Sequence, residues 1–158
     1  MTVRKTASRP VPAEPPEPDL DQAVLRSMVG YNMKRAYLTV RTDFVASLGH
    51  LALNPSQFSA LSLIVANPGV SQSALARALS VERSAVVALI DNLERRGFVS
   101  RDPVPGDRRS YALRATLAGI RHCEQAVDAI RAHEERAFAR LSPAERATLV
   151  ELLSRVEG

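Results

Sequence analysis

From position 20 onward the apolar residues recur mostly at three- and four-residue spacing, and strict alternation is confined to one short stretch. Between Leu20 and about Leu48, the residues Val29, Met33, Ala36, Val40, Phe44 and Leu48 fall on one face, which predicts a long amphipathic helix. Asn54 followed by Pro55 is a start signal, a cap and then a first helical position. Phe58, Leu61, Leu63 and Ile64 form the apolar side of that second helix, and Asn67-Pro68-Gly69 stops it. Ser71 caps a short third helix with Leu75 and Leu79 on one side, and Ser80-Val81 makes a turn. Glu82 to Arg96 then places Val86, Leu89, Ile90 and Leu93 inward and closes at Gly97, a residue that tolerates the left-handed conformation past a helix end.

The period changes after Gly97. Phe98, Val99 and Arg101 begin one strand, Ser110 to Arg114 alternates as another, and Pro103-Val104-Pro105-Gly106 is the connecting turn. Thr116 opens a further helix through Ile120, Val127 and Ile130 to about Arg140. Ser142-Pro143-Ala144-Glu145 is a capping box for a last helix with Leu149, Leu152 and Leu153. The order of four helices, a hairpin and two helices predicts a mainly α fold with a small β-hairpin wing. Residues 54–115 form a winged helix-turn-helix, flanked by helices over 20–53 and 116–158 within one domain. Residues 1–19 hold five of the ten prolines and few large apolar side chains, so they read as a disordered tail.

Composition narrows the class. With 46% hydrophobic residues in 158, the chain can bury one real core. No apolar run is long enough for a transmembrane helix and the N-terminus lacks a signal-peptide pattern, so the expectation is a soluble cytoplasmic protein with no membrane partner. Cys123 is the single cysteine, which excludes an intrachain disulfide. His50, His122 and His133 fit no metal or catalytic motif, so no enzyme activity, cofactor or metal is expected.

The net charge of +4 is concentrated in the motif, where residues 71–115 carry eight arginines, no lysine and five acids. Arginine suits bidentate contacts to phosphate or guanine. With Val86, Leu89, Ile90 and Leu93 inward, the opposite face of the second motif helix carries Arg83, Ser84, Val87, Ala88, Asp91 and Asn92. Arg83 and Ser84 are candidates for a base edge or phosphate, and Val87 and Ala88 for thymine methyl groups. Ser71, Gln72 and Ser73, at the start of the first motif helix, and Asn92 complete the DNA-binding set with Asp107, Arg108 and Arg109 at the wing tip. One wing arginine would enter the minor groove while the other pairs with Asp107 or Asp91.

The runs Leu-Ala-Arg-Ala-Leu and Ile-Asp-Asn-Leu-Glu-Arg-Arg-Gly-Phe-Val, the Asp-Arg-Arg wing and Thr116-Leu117-Ala118-Gly119 together resemble the MarR family of bacterial transcription regulators. The likeness covers residues 20–158. It implies a homodimer with interlocked terminal helices, a pseudo-palindromic double-stranded DNA operator, and a small-molecule effector such as an aromatic acid or its acyl-CoA thioester. The residues agree on dimerisation, since the terminal helices carry apolar stripes that one small winged helix leaves uncovered. For the effector, Tyr31, Lys34, Arg35, Leu38 and Arg41 combine rings and cations on a second face of the first helix. The sequence departs from the family at Ala85-Val86-Val87-Ala88, where a more polar stretch is usual, which shifts weight to Arg83, Ser84 and the wing. Repression is the expected outcome. The alternatives are an effector-independent winged-helix architectural or interaction module, and a redox sensor using Cys123 beside His122.

Overall fold

The computed structural model describes residues 20–104 and 107–157, with the side chains of 107–110 and 157 outside the described set. The chain divides into two compact units at Arg35/Ala36. Among the described residues the first unit holds α1 (Ala23–Arg26) and the opening of α2 (Val29–Gly49). The predicted single helix from Leu20 is thus interrupted. Its cause is local: the Asn32 side-chain amide donates to the carbonyls of Arg26 and Met28, at 2.7 and 2.8 Å, and Ser27 Oγ donates to the Val24 carbonyl. Asparagine and serine offer the backbone partners that compete with the helical ladder.

The second unit contains the rest of α2, then α3 (Pro55–Ala66), β1 (Val70–Ser71), α4 (Gln72–Leu79), α5 (Arg83–Arg95), β2 (Val99–Val104), β3 (Asp107–Ala115), α6 (Leu117–Ala137) and α7 (Pro143–Glu157). The cap signals act as expected. Asn54 and Gln57 bond reciprocally at the start of α3, Ser71 Oγ accepts from the Ala74 amide, Thr116 Oγ1 accepts from the Gly119 amide, and Ser142 and Glu145 close the last capping box. Gly97 adopts φ +72°, and Ser80, without glycine's freedom, takes φ +52° in the tight turn between α4 and α5.

The strands run β1-β3-β2, all antiparallel, a three-stranded sheet where the alternation suggested only a hairpin. Val70 and Ser71 pair with Leu113 and Ala112, a two-residue strand too short to leave a period in the sequence. The wing is also longer than predicted, since Pro103 and Val104 lie within β2 and pair with Tyr111 and Asp107. β2 is an edge strand, the place where proline's missing N–H breaks no ladder bond. α6 ends at Ala137, short of Arg140. The core gathers Leu48, Leu61, Ile64, Leu75, Val86, Ile90, Leu93, Val99, Leu113 and Ala126, all buried.

α2 and α6 meet through Asp43 and His133. His133 is 2% exposed and its Nδ1 lies 2.7 Å from an Asp43 carboxylate oxygen, which also receives Arg136 at 3.4 Å. A carboxylate only accepts, so Nδ1 carries the proton. The His133 hydrogen bond, reinforced by the nearby Arg136 and His133 charges, holds the Asp43 carboxyl below its usual range.

Candidate nucleic-acid interface

Helical phase decides which α5 residues face outward. Val86, Ile90 and Leu93 are buried, while Arg83, Ser84, Ala85, Val87, Ala88 and Asp91 are exposed, so the predicted outward face is the observed one with Ala85 added. Asn92 differs. It is half-buried and its Oδ1 accepts from Gln57 Nε2 at 2.9 Å, so this amide joins α5 to the N-terminal turn of α3. At the start of α4, Ser71 is exposed with its hydroxyl on the Ala74 amide, and Gln72 and Ser73 are half-buried.

The eight arginines of the motif divide into structural and available groups. Arg101, on β2, reaches back to Asp91 and Glu94 of α5 with one guanidinium nitrogen each. Among the described residues, Asp91 thus has the strand arginine Arg101 as its partner. Arg114 pairs with Asp102 across the opposite face of the wing at 2.9 Å. Arg96 donates to the Ala52 and Leu51 carbonyls at 2.7 and 3.0 Å, tying the end of α5 to the α2–α3 connection. Its guanidinium also lies over Phe98, whose ring stacks on His122, and His122 Nε2 lies 3.0 Å from the same Leu51 carbonyl. Arg77 and Arg83 are exposed and have no partner among the described residues, which leaves them available to an anion. Arg77 was not singled out from the sequence, although Leu75 and Leu79 facing inward already place it outward. The side chains of Asp107, Arg108 and Arg109 lie outside the described residues.

Beside α5 a cleft of about 560 Å³ is lined by residues that include Ser59, Leu79, Val81, Ala88, Leu89 and Arg95. The expected effector residues lie along α2. Tyr31 is half-buried, donates its hydroxyl to Gln22 at 3.0 Å and has the Arg35 guanidinium 5.8 Å from its ring centre. Lys34, Leu38 and Arg41 are exposed on the same helix. Cys123 is 5% exposed with its sulfur 3.4 Å from Ser62 Oγ, the setting of an inert thiol, and His122 points instead to Leu51. Among the described residues no cluster of three or more His, Cys, Asp or Glu side chains could hold a metal ion, and no helix is long and apolar enough to cross a membrane.

The profile of the MarR family matches residues 53–111. A protein of Thauera aromatica assigned to transcriptional regulation of the hcr operon is 35% identical over 147 residues, spanning 90% of this chain and 89% of that one. Among solved structures, the transcriptional repressor CouR bound to a 23-mer DNA duplex superposes with a TM-score of 0.84 at 35% identity, covering 89% of this chain and 100% of that one. CouR bound to p-coumaroyl-CoA gives a TM-score of 0.75 at 33% identity over 88% of this chain and 98% of that one.

Proposed function

The chain belongs to the MarR family of transcriptional regulators, and on that premise we propose that it is a dimeric, sequence-specific repressor released from its operator by an acyl-CoA thioester of an aromatic acid. The regulatory role is not an enzymatic one. The observation that carries the DNA reading is the exposed face of α5, with Arg83 and Ser84 at its N-terminal end, braced by Arg101 against the adjoining wing. Such a helix enters a major groove N-terminus first while the wing reaches the flanking backbone or minor groove. Val87 and Ala88 suit thymine methyl groups, and the exposed Arg77 adds a phosphate contact.

Dimerisation supplies the second half-site. Val24, Met28 and Val29 are exposed in the first unit, and Leu149, Val150, Leu152, Leu153 and Val156 are exposed on α7. Apolar stripes of this kind are covered in the working state, and a second copy related by a two-fold axis covers both. The two recognition helices then fall roughly one DNA turn, about 10 base pairs, apart. The thioester reading is supported by the likeness to CouR, solved with p-coumaroyl-CoA, and by the cations Lys34, Arg35 and Arg41 on α2. Charge-assisted bonds from such side chains hold phosphates or a carboxylate.

Footprinting on the DNA upstream of its own gene tests this directly. Protection of one palindrome, lost on adding p-coumaroyl-CoA or another aromatic thioester, is the expected result. Similar salt-dependent binding to unrelated duplexes, unaffected by thioesters, would instead mark an effector-independent architectural protein.

A further inference from the structure

The inward face of the wing is read from its register. Along β2 and β3 the cross-strand pairs on this face are Val99 with Ala115, Arg101 with Leu113 and Pro103 with Tyr111. The first two pairs are occupied by the protein itself: Val99 and Leu113 are in the core, and Arg101 is clamped to Asp91 and Glu94 of α5. Among the described residues nothing covers the third. Pro103 is exposed, Tyr111 is 44% exposed, and the Tyr111 hydroxyl has no partner among the described residues. Tyr111 therefore stands on the α5 side of the ribbon, one pair beyond the clamp, in the angle between recognition helix and wing.

Resting on the DNA reading above, we propose that Tyr111 is an uncharged anchor for the DNA backbone, its ring against a deoxyribose and its hydroxyl donating to a phosphate oxygen. A duplex that takes the exposed face of α5 into its major groove and the wing beyond must pass a sugar-phosphate strand through that angle. The flanking chemistry fits: Pro103 presents an apolar neighbour for the sugar, and the phenol O–H is a hydrogen-bond donor. Tyrosine makes such contacts without releasing a counterion, so its contribution differs in kind from that of Arg83. The clamp supplies the rigidity, since Arg101, on the strand paired with that of Tyr111, fixes the spacing of β2 from α5.

The test is a salt titration of binding to the footprinted operator and to a scrambled duplex, comparing the parent with Tyr111→Phe, Tyr111→Ala and Arg83→Ala. Tyr111→Phe should weaken both duplexes by about fivefold to tenfold, because a backbone contact carries no sequence information. Tyr111→Ala should lose roughly threefold more, for the ring, and both should keep the parent's slope of affinity against salt. Arg83→Ala should flatten that slope by about one ion if Arg83 meets a phosphate. Parent-like affinity in Tyr111→Phe and Tyr111→Ala, with the parent's own salt dependence intact, overturns the anchor while leaving the DNA reading standing. A loss confined to the specific operator would make Tyr111 a base reader and equally overturn it. A parent that binds no duplex removes both readings together.

Discussion

Gly119 lies so close to Phe98 that a Cβ on it would stand 2.0 Å from the Phe98 carbonyl oxygen. That carbonyl already accepts from the Thr116 amide at 3.0 Å, and Thr116 Oγ1 donates to the Gly97 carbonyl at 2.7 Å. The first turn of α6 is thereby seated on the joint between α5 and β2. The obstacle is backbone, which has no rotamer with which to yield.

Gly119→Ala should therefore destabilise the protein. In a free helix the same change gains about 1 kcal/mol, so the sign itself is diagnostic. Overpacking against a fixed carbonyl should cost about 3 kcal/mol net. Urea denaturation of parent and variant measures it, and a variant as stable as the parent would show that the joint can open without cost.

Arg101 joins wing to recognition helix, and a double-mutant cycle with Asp91 isolates that link. Its side chain is 18% exposed while Asp91 and Glu94 are 51% and 39% exposed, so solvent screening keeps the coupling small. About 1 kcal/mol of coupling between Arg101→Ala and Asp91→Ala is expected. Operator affinity should fall more in Arg101→Ala than stability alone explains, since the wing loses its brace. Additive stabilities in the cycle would mean that the pair contributes no net energy.

Asp43 gives the fold a pH dependence on the acid side. Its hydrogen bond from His133, helped by the Arg136 charge, lowers the folded carboxyl below its ordinary value of 3.8. A depressed carboxyl stabilises the folded state at every pH above its unfolded value, and that contribution disappears as pH falls through the folded value. The loss of the Asp43 contribution therefore belongs below about pH 4. Asp43→Asn should flatten this limb of a stability profile measured from pH 7 to pH 2. An unchanged limb would place the acid sensitivity elsewhere.

The exposed leucines of α7 test the dimer. Leu149→Glu with Leu153→Glu should leave the winged lobe folded, because neither residue contributes to the core, yet give a monomer by light scattering with operator affinity reduced at least about tenfold. A variant that remains dimeric would exclude this face of α7 from the interface.

Much of the architecture was legible in the chain because its signals are local. Asn54-Pro55, Ser71, Gly97, Thr116 and Ser142 each act on groups within a few residues, and each sits where it was expected. Helical phase in the same way separated Val86, Ile90 and Leu93 from Arg83, Ser84, Val87 and Ala88. What failed to show was of two kinds. The interruption near Ser27 is local but depends on which carbonyls the Asn32 amide turns to, a choice that leaves no apolar period, and the strand at Val70 exists only because the distant Leu113 arrives beside it.

The arginines make the division plainest. By itself the sequence determined that eight of them cluster in the motif, that α5 has an outward face, and that a two-stranded wing follows. Only the tertiary structure decided which of them are spent: Arg96 on the Leu51 and Ala52 carbonyls, Arg101 on Asp91 and Glu94, Arg114 on Asp102, with Arg77 and Arg83 left outward. A guanidinium on a long flexible stem can reach a carboxylate or carbonyl many residues away along the chain, so its role is fixed by packing across elements and carries no local period.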